Sequence, residues 1–412
     1  MPLPDEARSS TSALPGRTLI LVENLSVPFD RRVWQEALSL RRAGYEVTVV
    51  CPRGRGQDTE PQAEIDGVSI HRYPLDAATG GPVSYAREYG SAFLRTSRLV
   101  RRLGAAARFD VLHACNPPDP LILTGLPLRR RGAAFVFDHH DLVPELYVSR
   151  FGGRGLLQRA TLTAERIAFR TADVVISTNE SYRRVAIERG RKDPEDVFVV
   201  RSAPDTERFR PVPPDPALRR GATHLLAYLG VMGPQDGVDH ALRALAVLRQ
   251  ERSDWRAIFV GAGDVFEAMK ALAVTLGLNA DIEFTGRIPD GDVVRILSSA
   301  DVCLAPDPKN PLNDVSTMNK IVEYMALERP IVSYDLTEAR VSTDGAAVYA
   351  RPNDPTDFAR CISELLDSPE RRHSMGESGR RRVEDEISWR RSEEQLLAAY
   401  DRALMRARGR HR

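Results

Sequence analysis

The sequence predicts an α/β protein made of two domains that face each other across a cleft. Apolar segments rich in Val, Ile, Leu and Phe, typical of buried parallel strands, alternate with segments of helical periodicity. The alternation stops at a proline-rich stretch and then starts again, and 412 residues suffice for two or three domains. Because open parallel sheets bind ligands beyond the carboxyl ends of their strands, we expect two Rossmann-like domains whose strand ends line the cleft.

The first domain is predicted over residues 17–203. RTLILVE (17–23) is typical of a strand, FDRRVWQEALSLRRAG (29–44) of a helix, and YEVTVVC (45–51) of a second strand. The same order continues with strands at 68–73, 110–115, 133–138 and 173–178 and a helix over 82–104. Residues 1–16 show no such pattern and are expected to be disordered.

A linker and a second domain follow. Five prolines mark residues 204–222 as the linker, and the second domain is predicted over residues 223–387. Its strands are expected at 224–230, 255–261, 281–286, 300–306 and 330–335, with helices over 237–250, 264–277 and 317–328. The segment 388–412 is arginine-rich and helical in pattern, and we expect it to pack back toward the first domain.

Composition argues against several classes of function. The 58 Lys and Arg residues balance 57 Asp and Glu residues at a net charge of +1, which disfavours nucleic-acid binding through bulk charge. The four cysteines stand far apart without a Cys-x-x-Cys pair, so they indicate neither a disulfide framework nor a zinc site. No apolar run approaches the ~18 residues of a membrane-spanning helix, and residues 1–16 lack the apolar core of a signal peptide. We therefore expect a cytoplasmic protein.

A nicotinamide-dependent enzyme is one function that two Rossmann-like domains suggest, and the sequence disfavours it. The Gly-x-Gly-x-x-Gly fingerprint should follow the first strand, but VENLSVPFDRR contains no glycine. GVMGPQDG (230–237) has glycines at the wrong spacing for this fingerprint.

The most informative segment is APDPKNPLNDVSTMNKIVEYMALERPIVSYD (305–335). A strand is predicted to end at Ala305, a polar loop to run through Val315, and a helix to begin at Ser316 or Thr317. The amino terminus of a helix carries free N–H groups and a partial positive charge, so it is a natural site for a diphosphate.

Two lysines and a glutamate surround this helix start. Lys309 and Lys320 flank it, and Glu323 lies within two turns, where its carboxylate can accept two hydrogen bonds from a ribose diol. The alternative interpretation makes Lys320 and Glu323 a surface pair and Ser316 a plain helix cap.

This segment resembles the donor-nucleotide motif of glycosyltransferase family 4, whose members are retaining enzymes of the GT-B fold that use sugar nucleotides. STMNKIVEYMA, a turn and PIV carry the match, which places the motif's second glutamate on Glu323. PFDRRVWQEALSLRRAGYEVTVVCPRG resembles the family's opening loop, helix and second strand, and FDHHDLVPE (137–145) resembles the loop of its active-site histidine. YLGVMGPQDGVDHALRAL, FVGAGD and FTGRIP resemble its phosphate- or base-side loops, so the match covers almost the whole chain.

The resemblance implies the GT-B fold and transfer of a sugar from a nucleoside-diphosphate sugar to a hydroxyl acceptor, with no metal ion and no cofactor beyond the donor substrate. The active-site histidine falls on His140, with His139 as an uncertain neighbour. His113 and Asn116 follow a strand and are candidates either for the acceptor side or for loop structure. We expect donor contacts from nine residues: Glu323, Asn319, Ser316, Thr317, Gly230, Gly261, Gly263, Gly286 and Arg287.

Three positions depart from the family pattern. The motif's first glutamate falls on Val315, and the basic pair that holds the diphosphate falls on Val231 and Asp236. A departing diphosphate gains charge as the glycosidic bond breaks, so the protein must neutralise it. The remaining candidates for this role are Lys309, Lys320 and Arg287. The departures also leave two other functions open, a non-catalytic GT-B subunit and a sugar-nucleotide epimerase.

The predicted helix over 82–104 carries a group of arginines interleaved with apolar side chains. A solvent-exposed face is the preferred interpretation, and contact with an anionic membrane or a lipid-linked acceptor is the alternative. The arginines are Arg87, Arg95, Arg98, Arg101 and Arg102. If the alternative holds, the protein sits at the inner face of the membrane.

Overall fold

The structure is a computed structural model that describes residues 16–410 except 55, 77–80, 154, 205 and 208. Apart from Gly16, the segment 1–16 lies outside the described residues. Two sheets, one of eight strands and one of six, each form the centre of a domain. Within the described residues, no helix is both long and apolar enough to cross a membrane.

Within the described residues, the first domain contains eight strands and six α-helices. The strands are β1 Arg17–Leu21, β2 Glu46–Pro52, β3 Gln62–Ile65, β4 Val68–Tyr73, β5 Val111–Cys115, β6 Ala134–His139, β7 Val174–Ser177 and β8 Val197–Val199. The helices are α1 Arg31–Arg42, α2 Pro82–Ala106, α3 Leu126–Arg129, α4 Val143–Phe151, α5 Leu156–Thr171 and α6 Glu180–Glu188. The sheet order is β3-β4-β2-β1-β5-β6-β7-β8, in which β3 runs antiparallel to β4 and the other neighbouring strands run parallel. The order reverses between β1 and β5, where open α/β sheets form a ligand crevice.

The second domain repeats this arrangement. Its strands are β9 His224–Leu229, β10 Trp255–Val260, β11 Ile282–Gly286, β12 Val302–Ala305, β13 Ile331–Tyr334 and β14 Ala347–Ala350. Its helices are α7 Val238–Glu251, α8 Phe266–Thr275, α9 Asp290–Ser299, α10 Asn319–Ala326, α11 Thr337–Thr343, α12 Pro355–Leu366 and α13 Pro369–Asp385. The order β11-β10-β9-β12-β13-β14 is parallel throughout and reverses between β9 and β12.

Both faces of the first sheet are buried, which explains why its strands are continuous apolar runs. Along β1, Leu19 and Leu21 belong to the core on one face, whereas Ile20 and Val22 belong to the core on the other. Because successive strand side chains point to opposite faces, a sheet covered by helices on both sides favours apolar residues at most positions.

The last helix, α14 Trp389–Gly409, packs on the first domain although it follows the second in sequence. Leu396, Ala399, Tyr400 and Ala403 recur at three- and four-residue spacing and lie fully buried in the same core as β1 and α1. The small alanines let the helix approach the sheet closely, and this brings Tyr400 beneath the strands.

The sequence interpretation missed three strands, β3, β8 and β14. β3 is a short edge strand with only two apolar residues, and β8 has three residues, so neither produces a clear apolar run. The sequence prediction named no element between residue 336 and the end of the second domain at 387, where the structure has α11, β14, α12 and α13. Helix α12 packs beside β13 and β14.

Candidate active site

The two consecutive histidines at the end of β6 have different surroundings. His139 is fully buried, with its ring 5.0 Å from the Phe169 ring and 5.7 Å from the Phe137 ring. His140 keeps 15% of its side chain exposed, and its Nε2 lies 2.5 Å from Asp138 Oδ2. Because strand side chains alternate, His139 shares the core face with Phe137. His140 is therefore the histidine that can meet a substrate.

Arg32, in the first turn of α1, connects His140 with Asp138. Its Nη2 donates to Asp138 Oδ1 at 2.9 Å, and its Nε lies 2.9 Å from His140 Nε2. Asp30 caps the helix by accepting from the Val33 N–H at 3.1 Å, which fixes where Arg32 leaves the chain. Burial works to raise the pKa of Asp138, but the charges of Arg32 and His140 hold it well below its usual range. The carboxylate is therefore ionised and orients the histidine.

Glu36, one turn further along α1, completes a buried charge cluster. Burial and the nearby Asp138 charge raise the pKa of Glu36 well above its usual range, so Glu36 holds a proton while Asp138 is ionised. Glu36, His113, Cys115 and Asp138 place ligand-type atoms within 4.8 Å of one another. However, Arg32 Nη2 lies 3.2 Å from Glu36 and 2.9 Å from Asp138, so a protein cation already balances this cluster.

Asn116 holds the loop that carries His140. Its Oδ1 accepts from the backbone N–H groups of His140 at 2.6 Å and Asp141 at 3.0 Å. Its Nδ2 donates to the Asp141 carbonyl at 2.7 Å and to Asp119 Oδ1 at 2.8 Å. Asn116 is 1% exposed and His113 is fully buried, so the structure gives both residues a role in shaping the loop and its surroundings.

Lys320 is a buried cation of the second domain. Its Nζ lies 2.6 Å from Asp307 Oδ1 and 5.2 Å from the centre of the Tyr228 ring. A Cβ atom at Gly230 would stand 3.1 Å from Lys320 Cε, so the loop after β9 passes over the lysine. Burial works to lower the pKa of Lys320, but the Asp307 carboxylate raises it above its ordinary value. A charged ammonium thus lies at the point where the strand order reverses.

The helix that carries this lysine begins later than the sequence predicted. α10 starts at Asn319, which is exposed, with Met318 at its N-cap, so the predicted start at Ser316 or Thr317 is wrong. A short 3-10 turn at Asn313–Val315 comes first, and Ser316 and Met318 then adopt extended backbone angles. The N-cap residue of a helix has extended backbone angles, so Met318 is the cap and Asn319 is the first helical residue.

Ser316 and Thr317 contact the first domain instead of capping a helix. The Ser316 hydroxyl lies 2.9 Å from the Tyr182 hydroxyl, and the Asn179 amide donates to Thr317 Oγ1 at 3.0 Å. Tyr182 lies on α6, and Asn179 is the cap of that helix. These bonds fix the α10 loop against the first domain on one side of the cleft.

Glu323 reaches the first domain on another side. Its Oε1 lies 3.4 Å from Nη1 of Arg31, and Nη2 of Arg31 lies 2.7 Å from Asp290 Oδ1. Arg31 immediately precedes Arg32, which contacts His140. Two consecutive arginines of α1 therefore connect the predicted active-site histidine with the predicted ribose-binding glutamate.

The loops after β9, β10 and β11 approach one another through glycines. Gly261 has a φ of +129°, and a Cβ atom there would stand 1.9 Å from the Gly230 carbonyl oxygen. Its N–H donates to the Gly286 carbonyl at 3.0 Å, and a Cβ atom at Gly263 would stand 2.5 Å from the Met232 carbonyl oxygen. These glycines let the loops pack backbone against backbone, while their approach to a nucleotide stays a prediction.

The other candidate cations have different surroundings. Lys309 Nζ lies 3.2 Å from Asp314 Oδ1, and 40% of its side chain is exposed. Arg287 is exposed, and its guanidinium lies 4.9 Å from the centre of the Phe29 ring in the opening loop of the first domain. Of the three candidates, the lysine on α10 alone is buried.

The positions of the family's basic pair carry no positive charge. Val231 is 61% exposed. Asp236 Oδ2 accepts from the Gly233 N–H at 2.8 Å, and burial, partly offset by Lys320, raises the pKa of Asp236 to about 6. A carboxylate thus shares the surroundings of the buried lysine.

Sequence reasoning missed the acidic partners that hold the two key side chains. Asp138 orients His140. Asp307 holds Lys320 from a position 13 residues earlier in the chain. A detectable signal existed for both aspartates, because each lies at or just beyond the carboxyl end of an apolar strand.

Comparison with known proteins gives related families for both halves of the chain. Residues 30–203 match the family described as Glycosyl transferase 4-like domain, and residues 223–368 match Glycosyl transferases group 1. The MMP alpha-(1->4)-mannosyltransferase of Mycolicibacterium hassiacum is 27% identical over 328 residues, covering 76% of this chain and 75% of the relative.

Solved structures show the same fold. Sucrose-phosphate synthase from Thermosynechococcus elongatus matches with a TM-score of 0.75 at 18% identity, covering 94% of this chain and 98% of that protein. Anabaena Alr3699/HepE in complex with UDP-glucose matches with a TM-score of 0.67 at 16% identity, covering 92% and 98%.

The two facing α/β domains have the GT-B fold of these solved structures, and the family matches of both halves make the protein a glycosyltransferase. The chain belongs to the family 4-like glycosyltransferases, because the two family matches together span most of it. The predicted family and fold class are confirmed.

Proposed function

We propose that this glycosyltransferase transfers a sugar from a nucleoside-diphosphate sugar to a hydroxyl acceptor, with retention of the anomeric configuration and without a metal ion. The donor lies on the second domain, with its ribose at Glu323 and its diphosphate at Lys320. The acceptor lies on the first domain, near His140. The complex of HepE with UDP-glucose supports a sugar nucleotide as the donor class.

The observation that carries this proposal is the contact of two neighbouring arginines with both halves of the site. Arg32 Nε lies 2.9 Å from His140 Nε2, and Arg31 Nη1 lies 3.4 Å from Glu323 Oε1. Consecutive Cα atoms are about 3.8 Å apart although their side chains diverge, so both contacts lie at the amino-terminal end of α1, where the two domains meet. Transfer needs this arrangement, since donor and acceptor must meet at one carbon atom.

The proposed reaction needs a positive environment rather than a strong base. The acceptor oxygen attacks the anomeric carbon on the face from which the nucleotide departs, and the bond from that carbon to the phosphate oxygen breaks. The departing phosphate oxygen takes the acceptor's proton. Lys320 and the positive end of α10 stabilise the charge that develops on the diphosphate. His140 positions the donor sugar by a hydrogen bond.

Arginine side chains pair with two carboxylates whose spacing is typical of a metal site. Asp290 and Asp292 stand in Asp-x-Asp order on the first turn of α9, but Arg31 lies 2.7 Å from Asp290 and Arg295 lies 3.1 Å from Asp292. These pairings support metal-independent transfer, in which lysine and helix dipole replace a divalent ion.

A single assay separates the proposed function from its alternatives. The purified protein is incubated with a panel of nucleoside-diphosphate sugars and hydroxyl acceptors, with and without a chelator. Transfer that survives the chelator supports the proposal, and transfer that requires added magnesium or manganese removes its metal-free part. Donor binding without turnover favours a non-catalytic subunit, and epimerised donor favours an epimerase.

Replacing Glu323 by alanine should weaken binding of the nucleoside diphosphate by about ten- to a hundredfold. The lost charge-assisted hydrogen bonds to a ribose are worth about 1.5–3 kcal/mol. Isothermal titration calorimetry measures the change. Asp290→Ala is the matched control, because it removes the other carboxylate beside Arg31 at 2.7 Å. If both variants bind the nucleoside diphosphate equally weakly, the loss comes from the changed surroundings of Arg31 and not from a missing bond to the ribose.

Donor affinity should increase as the pH falls through about 6, because the pKa of Asp236 is raised to about 6 by burial. Protonation removes a negative charge beside the donor diphosphate, and Lys320, Asp307 and Arg150 are the other charges that act on Asp236. The intact sugar nucleotide is the right probe, since its diphosphate diester does not titrate in this range.

Asp236→Asn should flatten this pH profile and raise affinity at pH 8 by on the order of tenfold, about 1.4 kcal/mol. Asp239→Asn, at a half-exposed carboxylate on the first turn of α7, is the control. A profile that keeps its slope in Asp236→Asn would place the diphosphate elsewhere.

Contact of α2 with a membrane and a cytoplasmic location stay predictions from the sequence.

A further inference from the structure

A continuous chain of buried polar side chains runs from the C-terminal helix to the active-site histidine. The Tyr400 hydroxyl on α14 lies 2.9 Å from His113 Nδ1 and 3.2 Å from Thr18 Oγ1. His113 Nε2 lies 3.3 Å from Asp138 Oδ2, and the same oxygen lies 2.5 Å from His140 Nε2. Tyr400, Thr18, His113 and Asp138 are fully buried, so the bonds among them are shielded from water.

The chemistry of the end groups fixes the direction of every hydrogen bond in this chain. Asp138 is ionised and can only accept, so His113 Nε2 and His140 Nε2 both carry hydrogen. The Arg32 Nε–H, 2.9 Å from His140 Nε2, then donates to Asp138 Oδ2 at 3.4 Å and not to the ring. His113 Nδ1 is then an acceptor, because burial lowers the pKa of His113 and keeps its ring neutral. The Tyr400 hydroxyl donates to this nitrogen, and Thr18 donates to the tyrosine oxygen. With Nε2 held in the cluster, His140 has Nδ1 left for the substrate.

We propose that Tyr400 and His113 are positioning residues for sugar transfer, which fix the orientation and tautomer of His140 through Asp138. This inference rests on the proposed function, in which His140 meets the donor sugar. It gives α14 a role beyond packing, because the Tyr400 hydroxyl on this helix donates the hydrogen bond to His113.

The tyrosine hydroxyl acts by holding the His113 ring in place. Without it, the lone pair of the buried Nδ1 has no donor, and the ring is held only by its Nε2–H bond to Asp138. The ring can then turn, and the 3.3 Å bond from Nε2 to Asp138 Oδ2 weakens. The carboxylate must shift, and its oxygen at 2.5 Å from His140 loosens its hold on that ring.

Steady-state kinetics of Tyr400→Phe give the first test. We expect kcat to fall about tenfold, while KM for the sugar nucleotide stays within about twofold, since no donor-binding residue is altered. Tyr45→Phe is the matched control. Tyr45 is buried in the same core, its ring packs edge-on at 5.4 Å from Tyr400, and its hydroxyl is separate from the described bonds of the chain. Equal loss of kcat in both variants would overturn the proposal.

Nitrogen NMR of the protein labelled in its eight histidines gives a second test that needs no activity. The His113 and His140 ring signals are assigned from His113→Gln and His140→Ala. Tyr400→Phe should change the ring-nitrogen shifts of both histidines, whereas Tyr45→Phe should change neither. A change confined to His113 would show that the chain ends before His140 and would overturn the proposal.

His113→Gln serves if Tyr400→Phe does not fold, because it keeps a polar side chain beside Asp138 but breaks the chain. It should lower kcat and shift the His140 signals in the same way, and an unchanged His140 signal in this variant would also contradict the proposal. Wild-type protein that transfers no sugar would defeat the proposed function, whereas the NMR coupling would still be measured.

Discussion

Lys320→Met should lower turnover by at least about a hundredfold with any donor that the wild-type protein accepts. The methionine keeps the length of the side chain but removes the charge that neutralises the departing diphosphate. One preorganised charge in a dry site contributes about 2–4 kcal/mol to the transition state, and each ~1.4 kcal/mol is a factor of ten in rate. Single-turnover measurements with saturating donor separate this loss from weaker binding.

Stability must be separated from catalysis in this variant. Asp307 is 1% exposed, so Lys320→Met leaves a buried carboxylate without its cation, at a cost of about 3–5 kcal/mol in the free energy of unfolding. The double variant Lys320→Met, Asp307→Leu removes both charges and should recover most of that stability. Turnover should stay low, and a double variant that regained it would make Lys320 a structural residue.

Lys309→Met provides the comparison between the two lysines. Its ammonium is 40% exposed and pairs with Asp314 at 3.2 Å, and such exposed pairs contribute little. We expect less than about a threefold change in turnover. A larger loss than in Lys320→Met would show that the loop before α10 closes on the donor and brings Lys309 to the diphosphate.

His140→Ala should reduce kcat by about a hundred- to a thousandfold, the scale of losing one oriented hydrogen-bonding partner at a reacting centre. Affinity for the nucleoside diphosphate should stay within about twofold, because that ligand lacks the sugar which His140 contacts. Turnover within about threefold of wild type would remove His140 from the reaction.

Folding of the His140→Ala variant can be checked against the same structure. Arg32 still has Asp138 at 2.9 Å and Glu36 at 3.2 Å after the ring is removed, so the buried cluster keeps its charge balance. The backbone N–H of residue 140 still donates to Asn116. We therefore expect a melting temperature near that of wild type, and a large drop would indicate that the kinetic loss reflects unfolding.

The sequence by itself determined the two-domain α/β architecture, the family and most of the elements. Buried parallel strands need apolar residues on both faces, so β1, β6 and β9 are visible as runs of Val, Ile, Leu and Phe. Helix periodicity and the proline-rich linker are equally local signals. Short or polar edge strands such as β3 and β8 produce no recognisable sequence signal, because they bury too little apolar surface.

Only the tertiary structure decided which chemistry-bearing residues act together. His140 and His139 are neighbours in sequence, and the alternation of β6 with the start of its loop sends one to the core and the other to the cleft. Arg32, which contacts His140 directly, and Tyr400, which is connected to it through His113 and Asp138, lie on helices 108 and 260 residues away from it. Charges and hydrogen bonds act through space, so a sequence pattern with local periodicity cannot report them.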